Sequence, residues 1–218
     1  MSVLKNKLSR CIMCGCSSDQ TLVYSTNQTG SPDLDLRPPQ MERSMQQFRV
    51  QECPFCSYTN LSIEMKPPKG VTLDWLRSES YQSCDGIDFI NSKERKYYRY
   101  YLICKKQRRL PKLFQALRGT IWMCDDDNNS ETAALLRLKA ASLARKLYFR
   151  TINPTYRVIE CDLLRRAGKY DTVKNYGRIF ALKNRKLLNQ IIEFEKRKAA
   201  EGNSCCYTIA EALEKDAI

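Results

Sequence analysis

The chain contains no histidine in its 218 residues. That absence removes Ser-His-Asp and Cys-His nucleophilic catalysis, His-ligated catalytic zinc and the two-His-one-carboxylate iron site. Glycine is scarce, at eight residues, and neither a Walker-type loop nor G-x-G-x-x-G is present, so no phosphate-cradling nucleotide loop is expected. No apolar run approaches the roughly 20 residues that cross a bilayer. The opening Met1-Ser2-Val3-Leu4-Lys5 has neither an apolar leader segment nor a small-residue cleavage site, and a cytoplasmic location is expected.

Cysteine, by contrast, is abundant. Eleven are present, and an odd number in a chain of this size argues against a secreted disulfide framework. Four stand in two pairs, Cys11-Ile12-Met13-Cys14 and Cys53-Pro54-Phe55-Cys56. C-x₂-C spacing lets two thiolates grip one tetrahedral ion from a tight turn, and two pairs complete a closed shell with no open position for water. Structural Zn²⁺ is therefore the expected cofactor. Cys16 stands near enough to take the place of Cys14. The competing reading, a redox dithiol, wants a βαβ context and one pair rather than two. Each knuckle needs a residue able to turn left-handed after its last cysteine; Gly15 fills that role in the first and the small Ser57 in the second. The remaining cysteines are scattered and read as small packing residues.

Net charge is +13, from 37 Lys+Arg against 24 Asp+Glu. The excess lies beyond residue 60, and it is densest over residues 93–118. There Lys93, Arg95, Lys96, Arg99, Lys105, Lys106, Arg108, Arg109, Lys112 and Arg118 face a single acid, Glu94. The first eight of these cations are candidate polyanion-binding residues. The interleaved Tyr97, Tyr98, Tyr100 and Tyr101 can stack on bases. Their +3 and +4 spacing equally places Tyr97, Tyr101 and Cys104 on the core face of a helix. The Asp125-Asp126-Asp127 run lacks the alternating positions of a calcium loop and reads as a helix-ending turn.

The pattern divides the chain into two regions, residues 1–66 and 71–218, with Pro67-Pro68-Lys69-Gly70 between them. The first is a small β-rich, zinc-ribbon-like module. Thr21–Tyr24 is a strand candidate, and the alternating Gln46–Gln51 is expected as a strand entering the second knuckle. The second is helical. Ser92 is expected to cap a helix through Arg108, and Pro111 opens another carrying Phe114, Leu117 and Ile121 on one stripe. Ser130 caps a long helix, Asn153-Pro154 starts the next, and Gly168 ends it. Further helices are expected from Asp171, from Asn184 to about Ala199, and from Thr208 to Lys215. Short links imply antiparallel hairpins, giving an α+β, mostly α class.

Residues 163–182 read Leu-Leu-x-x-x-Gly-x-Tyr-Asp-x-Val-x-x-Tyr, with Ala181-Leu182 beyond. The segment resembles the turn and second helix of a tetratricopeptide repeat, without a clean second copy at the roughly 34-residue period. Taken with the two cysteine pairs and the Asp35-Leu36-Arg37-Pro38-Pro39 loop, the chain resembles an uncharacterised bacterial family that joins an N-terminal paired-cysteine zinc module to tetratricopeptide-like helices. Where that family has glycine after the second pair, this chain has Ser57. The resemblance implies Cys11, Cys14, Cys53 and Cys56 as ligands and implies no catalytic residue. The expected function is a non-enzymatic interaction or scaffold protein whose basic helical region meets a protein partner. Association with nucleic acid or a ribonucleoprotein is the alternative. No small-molecule substrate is expected.

Overall fold

The computed structural model describes residues 2–178 and 185–214; of Arg185 only the backbone is described. Ala181, Leu182, Asn184 and Lys215, which figure in the sequence expectations, lie outside the described residues. The fold is α+β and mostly α. It divides into two compact units, one comprising Met1–Gln28 and Gln40–Thr132, the other Thr29–Pro39 and Ala133–Ile218. The boundary expected at Pro67–Gly70 falls inside the first unit.

The first unit begins with two antiparallel hairpins. β1 (Val3–Arg10) pairs with β2 (Ser17–Ser25), with Arg10 opposite Ser17. After α1 (Gln40–Arg43), β3 (Gln51–Glu52) pairs with β4 (Thr59–Asn60). The two-residue β3 and β4 are far shorter than the strand expected over Gln46–Gln51. Gln46–Phe48 is instead a single 3₁₀ turn. Its carbonyls are taken by a helix: Tyr97 donates its hydroxyl to the Gln46 carbonyl, and Lys96 Nζ donates to the Gln47 carbonyl at 2.8 Å. Tertiary hydrogen bonds thus override the period-2 pattern.

Two short helices follow, α2 (Leu73–Arg77), capped by the Thr72 side chain, and α3 (Glu79–Gln82). The long helices α4 (Ser92–Gln107) and α5 (Leu110–Asp126) pack on one another. The cap of α4 is Asn91 rather than Ser92. Its side-chain oxygen accepts from the Lys93 and Glu94 N–H groups, the geometry in which asparagine outperforms most residues. Phe114, Leu117 and Ile121 are buried as their stripe requires, and Gly119 sits where a Cβ would fall 2.7 Å from the Tyr97 ring. The acidic loop ends α5 through Asn129 N–H donating to the Cys124 carbonyl at 2.8 Å, with Asn128 left-handed.

In the second unit α6 (Ser130–Thr151), which starts at the boundary, leads to α7 (Thr155–Arg166), α8 (Tyr170–Lys174), α9 (Arg185–Ala200) and α10 (Ile209–Leu213). The helix α7 ends at Gly168 (φ +74), where Gly168 N–H donates to the Arg165 carbonyl and Lys169 N–H to the Leu164 carbonyl, both at 2.9 Å. This Schellman pairing turns the chain into α8. Val173 and Tyr176 then face inward and Tyr170 is half-buried. Thr208 caps α10 reciprocally with Glu211.

The core of this unit is ionic as well as apolar. Arg165, fully buried, donates to Glu195 at 2.5 Å, to Asp162 at 3.0 Å, and to the Asn203 and Cys205 carbonyls at 2.8 and 2.9 Å. Arg166 lies 3.6 Å from Asp35 and 3.9 Å from Asp162. The Thr29–Pro39 segment reaches this cluster through Asp35 and is tied to the C-terminal strand of chain: Leu34 N–H donates to the Tyr207 carbonyl at 3.0 Å and Ile209 N–H to the Pro32 carbonyl at 2.9 Å. Nothing in the sequence pattern announced this clasp.

Candidate metal centre

Each cysteine pair occupies the tip of a hairpin, and the two tips share one backbone design. In the first, Cys11 N–H donates to the Cys16 carbonyl and Gly15 N–H to the Cys11 carbonyl, both at 2.9 Å. In the second, Cys53 N–H donates to the Tyr58 carbonyl and Ser57 N–H to the Cys53 carbonyl, again at 2.9 Å. The residue after the last cysteine is left-handed in both, Gly15 at φ +75 and Ser57 at φ +58. Glycine takes that conformation freely; serine does so at a cost of roughly 1–2 kcal/mol.

The hairpins bring all four sulfurs to one point. Cys11 Sγ lies 3.7 Å from Cys56 Sγ and Cys14 Sγ lies 3.6 Å from Cys53 Sγ. All four are within 4.8 Å of one another. A disulfide needs about 2.05 Å, and all eleven cysteines are free thiols. The tetrahedron with metal–sulfur bonds of about 2.3 Å has edges of about 3.8 Å, which the 3.6 and 3.7 Å spacings match. The cluster can hold a metal ion. Cys16 is outside it. The left-handed Gly15 places Cys16 just before β2, where it is the counterpart of Tyr58, and its sulfur is directed at the Cys14 carbonyl 3.9 Å away.

The first cysteine of each pair is buried and the second half-buried. Burial pushes the Cys11 and Cys56 thiols up. Burial also works to raise Cys14, but hydrogen bonds from the Cys16 N–H and the neighbouring sulfurs outweigh it and bring that thiol down to about 7. Four sulfurs this close cannot all ionise without a cation between them, so occupation by a metal releases protons.

Side chains outside the pairs lock the knuckles. Tyr81 of α3 donates its hydroxyl to the Ser57 carbonyl at 2.6 Å and contacts the Thr59 hydroxyl at 3.2 Å. Tyr58, fully buried, donates to the Met65 carbonyl and accepts from Asn60, both at 2.8 Å. Ile12 N–H donates to the Ile63 carbonyl at 3.0 Å, and Ile63 N–H donates to Gln51 Oε1 at 2.9 Å. Arg99 of α4 bridges to Glu52 of β3 at 2.8 Å. Sequence reasoning missed Tyr81 and Gln51, which carry no local signal.

The basic run divides. Lys93 pairs with Asp127 at 3.1 Å, Lys96 bonds the Gln47 carbonyl, and Arg99 joins Glu52 and Gln82; these three brace the unit. Arg95, Lys105, Lys106, Arg108 and Arg109 are exposed. Tyr97, Tyr98 and Tyr101 are buried, and Tyr100 packs against the core cluster of Val50, Tyr97, Trp122 and Met123. These rings are core residues. No family model, curated protein or solved structure matches the chain. The geometry of the site therefore carries whatever function is assigned to it.

Proposed function

We propose that this chain is a non-enzymatic interaction protein whose first unit is stapled by one structural zinc ion on Cys11, Cys14, Cys53 and Cys56. The observation that carries the reading is the convergence of four sulfurs at tetrahedral spacing, in knuckles that use every ligand position. A shell filled by four protein thiolates offers no place for an activated water. Histidine, the commonest general base, is missing from the whole sequence. Zinc is favoured over other divalent ions by the all-thiolate, tetrahedral donor set.

In this reading the helical hairpins act as a tetratricopeptide-like scaffold, and the positive charge directs them to an acidic protein partner in the cytoplasm. The Schellman turn at Gly168 and the inward Val173 and Tyr176 support the hairpin. The second reading, association with nucleic acid or a ribonucleoprotein, is favoured by the exposed Lys105, Lys106 and Arg108, which line one cleft. Elemental analysis of the purified chain tests the staple: one zinc per chain is expected, and less than about 0.2 after Cys53→Ser/Cys56→Ser. Folded, metal-free wild-type protein would overturn it. Affinity purification from the native cell with and without nuclease separates the two readings of the partner.

A further inference from the structure

A cleft of about 710 Å³ opens in the first unit, lined by Lys69, Trp75, Ser80, Asp85, Leu102, Lys105, Lys106 and Arg108. Its volume falls in the range of sites for small organic ligands. Four cations and one indole share the lining, and among the described residues Asp85 is its one acid. No carboxylate among the described residues forms an ion pair with Lys69, Lys105, Lys106 or Arg108, in contrast to Lys93 and Arg99. Lys106 Nζ sits 4.8 Å over the Trp75 ring, whose lower neighbour Tyr81 has its centroid 4.8 Å away. Tyr81 packs against the ring, and the exposed Lys106 side chain covers it.

The backbone around the cleft is strained. Arg108, the C-cap of α4, is left-handed at φ +54, a conformation for which glycine is the ordinary choice. Asp85, in the lining, and its neighbour Cys84 are both left-handed at φ +55. Strain of this kind concentrates where side chains serve a ligand. A second hollow, near Lys93 and Lys96, shows the opposite character, because Asp19 and Glu52 line it too.

We propose that this cleft binds a nucleotide unit, with the phosphate held by Lys105, Lys106 and Arg108 and the base stacked on Trp75. The inference rests on the second reading of the partner above. A phosphate alone would leave the indole unused, and so would a peptide of carboxylates alone. A base with its phosphate uses both at once. On binding, the Lys106 ammonium leaves the ring face and moves to the phosphate, while Ser80 and Asp85 face the ribose or the base edge.

The test titrates the full-length, zinc-loaded protein with a labelled single-stranded oligonucleotide of about 12 nucleotides, read by fluorescence anisotropy at about 50 mM salt. Parallel arms use AMP, ATP and a poly-glutamate peptide as competitors. Lys106→Glu/Arg108→Glu should weaken oligonucleotide binding at least tenfold, and Lys106→Gln/Arg108→Gln should flatten its salt dependence by about one unit of log–log slope. Trp75→Leu should weaken binding at least about fivefold and leave that slope unchanged. Lys146→Glu/Arg150→Glu, exposed in α6, should change binding less than twofold. Competition by AMP or ATP at one equivalent per chain identifies a free nucleotide as the source; competition by oligonucleotide alone identifies a strand. Absence of binding by either, equal competition by poly-glutamate, or equal losses from the cleft and α6 variants would overturn the assignment. Zinc content and circular dichroism of each variant are read alongside. Variants that keep both but lose no affinity would sink the cleft and leave the stapled interaction protein standing.

Discussion

Replacing Arg165 by methionine should cost the second unit about 5 kcal/mol. The guanidinium is fully buried and makes four hydrogen bonds, two to the carboxylates of Glu195 and Asp162 and two to the carbonyls of Asn203 and Cys205. Truncating one member of a buried ion pair costs roughly 3–5 kcal/mol, because the other charge stays behind without compensation. Each carbonyl stripped of its donor adds about 1 kcal/mol. Arg166, 3.9 Å from Asp162, recovers a part of this. The total is comparable with the whole stability of a small domain, about 5–15 kcal/mol. Urea denaturation followed by far-ultraviolet circular dichroism reads the loss. The surface pair Lys174–Asp171, 3.3 Å apart with Asp171 almost wholly exposed, supplies the control. Lys174→Met should cost less than about 0.5 kcal/mol. The stranded Glu195 carboxylate can neutralise itself by taking a proton, so the Arg165→Met deficit should shrink at acid pH. A deficit under about 1 kcal/mol, or one independent of pH, would refute the account of the cluster.

Other outcomes are expected. Burial, then the charge of Glu195, pushes Asp162 up to about 8, so the folded state binds a proton the unfolded chain lacks between about pH 4 and 8. The stability contribution of that group is full below about pH 4 and declines as pH rises toward 8. Asp162→Asn should flatten this decline in a pH series of urea midpoints. Gly15→Ala should destabilise the first unit by roughly 1–2 kcal/mol, whereas Ser57→Gly should stabilise it by about 1 kcal/mol, both measured on the zinc-loaded protein by thermal denaturation. Apparent zinc affinity, measured with a competing chelator, should fall continuously as pH is lowered through the thiol range, with protons released on binding. Tyr81→Phe should lower the temperature at which zinc is lost, since the Ser57 carbonyl loses its donor.

The parts of the fold legible in the sequence are those fixed by local rules. Cysteine spacing with Gly15 and Ser57 specified both knuckles, and Pro111, Asn153, Gly168 and Thr208 marked helix ends within a residue or two. The structure departs where distant partners decide. The strand β1 is exposed over nearly its whole length and has no apolar alternation; the first knuckle's hydrogen bonds and pairing with β2 hold it. The run Gln46–Gln51 alternates like a strand, yet Tyr97 and Lys96 capture its carbonyls from about fifty residues away. The basic run read as one surface because the acids that divide it, Glu52 and Asp127, lie outside it in sequence.

The Thr29–Pro39 segment belongs to one unit while the residues on either side of it belong to the other. No single cleavage can therefore yield both units whole. A fragment starting at Ala133 lacks the strand of chain that supplies Asp35 to Arg166 and the carbonyl of Pro32 to Ile209. During synthesis this stretch emerges long before its counterparts at Tyr207 and Ile209 and must wait for them unsatisfied. The ribosome thus completes the two units in an interlocked order, and premature termination before Tyr207 leaves Pro32 and Leu34 without their backbone partners.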